Sequence, residues 1–142
     1  MAQEKMFHVG IKALIEGKDG KILLLHAPGW EKNNTPPHWD IPGGRIQEGQ
    51  SSSDALSREI EEETGIKEIE SSEFFTAVIA KHEIPFENHI LGLVLMVYRV
   101  KVPKDSQIVL SHEHTEYEWV DKKEAAERLA NKYPSEFTQK LL

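Results

Sequence analysis

The chain of 142 residues contains no cysteine. Disulfides and thiolate metal sites are therefore excluded, and nothing calls for an oxidising compartment. Long apolar runs are also missing. The longest, Leu91 to Tyr98, is strand-sized and falls far short of the roughly 18 residues that a membrane span needs. No apolar segment follows a basic start, so no secretory signal is expected and the cytoplasm is the expected compartment. Positive charge is scarce, with 17 Lys and Arg against 24 Asp and Glu and a net charge of −7. A nucleic-acid polymer needs a basic face, so neither a polymer nor a membrane is an expected partner. A small nucleotide stays compatible, because cations bound among clustered carboxylates invert the local field. Repeats, linkers and low-complexity stretches are absent too, and one domain over residues 1–142 is expected.

What is present reads first as a hairpin. Val9 to Ile15 and Lys21 to His26 flank the turn pair Asp19-Gly20. A long loop, Ala27 to His38, follows with Gly29, Asn33, Asn34, Pro36 and Pro37. Loops of that length are often functional. Trp39-Asp40-Ile41 reads as a short strand entering the turn Pro42-Gly43-Gly44. Ser51 to Thr64 reads as a helix, with Ser51 and Asp54 placed for a capping box, Leu56 and Ile60 as its buried stripe and Gly65 past its end. Phe74 to Ala80, Leu91 to Val102 and Glu118 to Val120 read as strands, with a polar loop around Pro85. Asp121 caps a last helix that runs to about Lys132. This order predicts an α+β fold or a layered sandwich.

The most informative segment is Gly44 to Ile66, GRIQEGQSSSDALSREIEEETGI. Residues three and four apart share a helix face, so Glu59, Glu62 and Glu63 project together. Carboxylates crowded in this way repel unless a cation or an Arg sits among them. Hard divalent cations take oxygen ligands and engage substrate phosphates as well. The pattern therefore points to metal-assisted chemistry on a phosphorylated substrate. A bare acidic run would otherwise be a solvated helix face, as Glu61 is expected to be.

Gly44, Arg58, Glu59, Ile60, Glu62, Glu63, Gly65 and Ile66 resemble, at intact spacing, the signature box of the Nudix hydrolases. One position departs, with Gln50 where the box has its first Glu. The resemblance implies an α/β/α sandwich with a mixed sheet between helices. It also implies Mg²⁺ or Mn²⁺ held by Glu59, Glu62, Glu63 and the Gly43 carbonyl, with Arg58 orienting a carboxylate. The implied activity is hydrolysis of a nucleoside diphosphate linked to another group.

After the last long strand, Glu113-His114-Thr115-Glu116-Tyr117-Glu118-Trp119 resembles a segment of family members that act on nucleoside triphosphates and dinucleoside polyphosphates. A glutamate of this loop is then expected at the metal site, Glu113 first and Glu116 second. Either Glu59 or Glu113 is the expected general base. Zinc held by His112, Glu113 and His114 is disfavoured, because neighbours along a strand face opposite ways. Arg45, next to the glycine turn, is placed to meet a phosphate beside Gly44, and Trp30 is the candidate substrate contact in the long loop. Trp39, Tyr117 and Trp119 are expected in the core. ADP-ribose and nucleotide sugars are alternative substrates, a nucleotide-sensing module without turnover is the alternative to an enzyme, and a homodimer is left open. A prenyl-diphosphate isomerase on the same fold would need a catalytic Cys, which is absent.

Overall fold

The computed structural model describes residues 3–31 and 35–142, so Asn33 and Asn34 of the long loop lie outside it. The strands are β1 (Phe7–Glu16), β2 (Ile22–Ala27), β3 (His38–Asp40), β4 (Gly43–Arg45), β5 (Ser71–Ile79), β6 (Ile84–Phe86), β7 (His89–Lys101) and β8 (Glu116–Val120). The helices are α1 (Ser52–Thr64), α2 (Lys122–Leu129) and α3 (Ser135–Leu141).

β1 pairs in parallel with β7 along its whole length, from Phe7 opposite Gly92 to Glu16 opposite Lys101. β5 lies antiparallel on the far side of β7. The expected hairpin forms, but β1 and β2 meet only where Glu16 faces Ile22. Beyond that point the two strands fork. The segment from His38 to Arg45 fills the fork, β3 pairing with β2 and β4 with β1. The Ala13 amide closes it by donating to the Pro42 carbonyl at 2.8 Å. β1 thus gives its free edge to the glycine turn rather than to β2. The supposed turn at Gly43 and Gly44 is a strand for that reason.

Alternation along the strands builds two cores. Ile11, Ala13, Ile15, Leu23 and Leu25 pack with Ala55, Leu56 and Ile60 of α1. Leu14, Ile22 and Leu24 face the other way, toward Ala125, Leu129, Tyr133 and Phe137 of the α2–α3 layer. This is the α/β/α sandwich with a mixed sheet. Burial of Leu56 and Ile60 contributes about 1.5–3 kcal/mol each. The ends of α1 are fixed as the sequence suggests. The Ser51 hydroxyl accepts from the Asp54 amide at 3.1 Å, and Gly65 is left-handed with φ 77°. α2 starts on Asp121 but stops at Leu129, short of Lys132. Pro134 then opens α3, a helix the sequence reading lacks. β6 is likewise unexpected. It is a three-residue hairpin partner of β7, and its Pro85 is tolerated because short edge strands can spare a donor. Among the described residues, no helix is long and apolar enough to cross a membrane.

One buried carboxylate ties these parts together. Asp40, at the end of β3, is 6% exposed. Its Oδ2 accepts from Lys12 of β1 at 3.2 Å and from Lys132, after α2, at 2.6 Å. Its Oδ1 accepts from the Tyr133 hydroxyl at 2.7 Å and the Ile41 amide at 2.8 Å. Burial alone would push its pKa up. The two lysines, with the hydrogen bonds from Lys132 and Tyr133, more than offset this and hold it well below the usual carboxylate range. Removing one partner of a buried ion pair strands the other charge, so Asp40→Asn should cost about 3–5 kcal/mol in urea unfolding at pH 7. The folded pKa is depressed below the unfolded value of about 3.9. The Asp40 contribution is therefore full above that pH and is lost as pH falls toward the folded pKa. Stability measured from pH 5 down to pH 2 should fall less steeply in the variant than in the wild type.

Candidate active site

The fork puts the glycine turn directly against α1. Gly43 has φ 151°, and a Cβ there would collide with Ile11 and Lys12 of β1. Only glycine fits so close to a neighbouring strand. The Gly43 amide donates to Glu63 Oε1 at 3.0 Å. At Gly44 a Cβ would lie 2.5 Å from Glu59 Oε1, so the Glu59 carboxylate occupies the space that a side chain would take. Glu59 and Glu63 are buried behind this turn. Burial raises the pKa of both. For Glu63, Lys12 and the Gly43 amide pull it down while Glu59 and Asp40 push it up, leaving it at about 7. For Glu59, Arg58 and Lys12 oppose the rise and Glu62 adds to it.

Glu62 stands apart from this pair. Its side chain is 57% exposed and accepts from Arg58 Nη1 at 3.0 Å. Arg58 also reaches Glu59, with Nη2 2.9 Å from Oε1. That contact is an ion pair rather than an aligned hydrogen bond, since Arg58 Nε and Nη2 are buried without an acceptor in line. Arg58 therefore sits between two carboxylates. All three glutamates line one cleft of about 620 Å³ with Gly43, Gly44, Arg45, Arg58 and Glu113. The donors fit a hard divalent cation: carboxylate oxygens against a backbone bared by two glycines. Among the described residues, no three His, Asp or Glu side chains are already gathered around a single point.

A second pocket, of about 300 Å³, adjoins the cleft and shares Gly43, Gly44, Arg45, Glu63 and Glu113 with it. Lys12, Asp40 and Lys132 line it, as do His38, His82 and His114. Burial, with nearby lysines, lowers the pKa of His82 and His114. Burial also lowers that of Lys132, while Asp40 opposes the shift.

The structure separates the expected site residues. Glu113 and Arg45 line both spaces, Arg45 with its guanidinium 3.4 Å from His8 Nδ1. Glu116 begins β8 opposite His26 and, like Trp30, lines neither space. Trp30 is 59% exposed and bridges to Thr35. Tyr117, expected in the core, is 43% exposed, whereas Trp39 and Trp119 pack against the cores. His112 lines the cleft and His114 the second pocket, on separate sides of Glu113. Gln50 closes a turn: its Oε1 accepts from the Gln47 amide at 3.0 Å. Lys12, Asp40 and Lys132 are functional candidates that the sequence reading missed. A lone Lys within GIKALI and a lone Asp between Trp39 and Ile41 were the available signal, because a charge inside an apolar strand needs a buried partner.

Carboxylates lining a cleft at a glycine turn, next to a lysine-lined pocket in a mixed-sheet sandwich, suit metal-assisted chemistry on a phosphorylated substrate. The NUDIX domain model matches residues 6–141, and the chain belongs to the Nudix hydrolases. It is 29% identical to the CTP pyrophosphohydrolase of Escherichia coli K12, over 85% of this chain and 80% of that protein. It is 30% identical to a MutT-like protein of Streptomyces ambofaciens, over 88% and 71%. The crystal structure of a MutT protein from Methanosarcina mazei Go1 matches with a TM-score of 0.66 at 27% identity, over 99% of this chain and 94% of that one.

Gly44→Ala tests the close approach. Its backbone is permitted for alanine, so the metal-free melting temperature should change little while the Glu59 carboxylate is displaced. The rise in melting temperature on adding Mg²⁺, which follows from binding to the folded state alone, should shrink, and turnover should fall at least about tenfold. An undiminished rise would place the cation away from Glu59.

Proposed function

We propose that this chain is a Mg²⁺- or Mn²⁺-dependent pyrophosphohydrolase of a nucleoside triphosphate or dinucleoside polyphosphate. The observation that carries this reading is the junction of the two spaces. An acidic cleft suited to a cation-bound phosphate chain opens, past Gly43, Gly44 and Glu113, into a pocket able to take the attached group. The named activity of the Escherichia coli relative supports a triphosphate.

Glu59, Glu62, Glu63 and the Gly43 carbonyl would hold the cation. Once bound, it would offset phosphate charge and lower the pKa of the attacking water. Arg58 fixes Glu59 and Glu62 by pairing with both. Arg45, at the junction, meets a phosphate oxygen. Glu113 takes the proton as the water oxygen bonds to phosphorus, and Glu59 is the alternative base. The bond from that phosphorus to the bridging oxygen breaks, and the bridging oxygen leaves on the second phosphorylated product. Trp30 and Glu116 drop out of this reading, since neither lines the cleft or the pocket. Gln50 does not require a sensing module, because its amide has a structural task in the turn. Cytoplasmic location stays part of the proposal.

Glu113→Gln should lower kcat by about 10²-fold or more in a Mg²⁺-dependent assay of phosphate and pyrophosphate release. Glu116→Gln should do far less. A damaging Glu116→Gln beside a mild Glu113→Gln would reverse the assignment, and two mild variants would leave Glu59 as the base.

A further inference from the structure

Asp40 lies in the wall of the second pocket with no hydrogen-bonding capacity left. A carboxylate offers about four acceptor positions, and the Ile41 amide, Tyr133, Lys12 and Lys132 fill them. The side chain at this position therefore cannot accept from a ligand. The lysines are in the opposite condition. Each ammonium carries three N–H donors, and among the described residues each gives only one, to the same oxygen, Asp40 Oδ2. Two cations anchored on one oxygen are close neighbours, and both lysines line the same pocket.

The rest of the pocket fixes the shape of what can sit there. Gly10, Leu93 and Leu95 come from adjacent, paired strands and give one wall a low apolar surface, with Ile84 beside it. A Cβ on Gly10 would already press Leu95 at 3.1 Å. A phosphoryl group gains nothing from such a wall, whereas a planar heterocycle covers it with its face. His38, His82 and Lys132 stand at the boundary with a neighbouring pocket that Trp39 also lines, so a ring on the apolar wall meets Lys12 and Lys132 at its edge.

Resting on the triphosphate reading above, we propose that Lys12 and Lys132, set by Asp40, make this enzyme select nucleotides whose base carries a carbonyl rather than an amino group at purine C6 or pyrimidine C4. Guanine offers O6 and N7 as paired acceptors, and uracil offers a carbonyl where cytosine has an amino group. Adenine and cytosine would turn an amino donor toward two ammonium groups, with Asp40 too occupied to accept from it and the pocket's other carboxylates, Glu63 and Glu113, shared with the cleft that takes the phosphates. Lys12 and Lys132 are the specificity-determining residues, and Asp40 is a positioning residue that acts through them.

The test is steady-state kcat and KM for GTP, UTP, ATP and CTP under saturating Mg²⁺. Wild type should favour GTP and UTP over ATP and CTP by at least about tenfold in kcat/KM, within the range one good base contact supplies. Lys132→Met removes one donor and frees one acceptor position on Asp40. It should raise KM for GTP and UTP about tenfold, leave or lower KM for ATP and CTP, and change kcat little. Lys132→Arg, which keeps the donors, should retain the wild-type preference. A flat or reversed wild-type preference would overturn the proposal whether or not the methionine variant folds. So would an equal loss on all four substrates in folded Lys132→Met, which is the behaviour of a phosphate contact or a purely structural lysine. Turnover of none of the four would overturn the triphosphate reading with it, whereas turnover without selection would overturn the selection alone.

Discussion

The Asp40 carboxylate is the constraint on which the site depends. It joins β1 through Lys12, the α2–α3 turn through Lys132 and Tyr133, and its own strand through the Ile41 amide. Those partners belong to different layers of the sandwich. A buried ion pair is weak evidence for stability, because desolvation offsets much of the attraction. Its effect here is better described as fixing one arrangement of three segments. The fork between β1 and β2 is filled by the segment that carries Asp40, and the same segment delivers Gly43 and Gly44 to α1 three residues later.

From that fork follows the close approach of backbone to carboxylate. β4 can lie against β1 only because Gly43 has no side chain, and the Glu59 carboxylate can approach β4 only because Gly44 has none. The cleft is therefore formed by what is missing at two positions as much as by the acids beside it. α1 supplies the acids from a rigid element whose inner face, Leu56 and Ile60, is buried and whose ends are capped. Precise placement of charged groups is easier on such an element than on a loop.

The acidic face of α1, its caps and its buried stripe were legible in the sequence, because each depends on residues within about one helical turn of one another. The family box extended that local reading to Gly44. The fork was not legible, since Asp19-Gly20 signals a turn but says nothing of which strand takes the other edge of β1. The Asp40 partners were out of reach for the same reason: Lys132 is 92 residues away along the chain. The resemblance ranks Glu113 ahead of Glu116 without a physical reason, and the start of β8 at Glu116 supplies one, leaving Glu113 on the loop that lines both spaces.

A chain of net charge −7 that handles a polyanion must solve its electrostatics locally, and Lys12 is where the two halves of that solution meet. It pairs directly with Asp40, and its field also lowers the pKa of Glu59 and of Glu63. One buried ammonium thus serves as the ion-pair partner of the structural carboxylate and as partial countercharge for the cleft. It does not suffice for the cleft: burial still leaves Glu63 at about 7, so the acids remain crowded without a further cation. Strain of this kind is tolerated at functional sites because the surrounding fold over-determines the geometry. The cleft is left short of positive charge and the neighbouring pocket is supplied with it through Lys12 and Lys132. A metal-bound phosphate chain with an electron-rich ring edge would bring the complement to both.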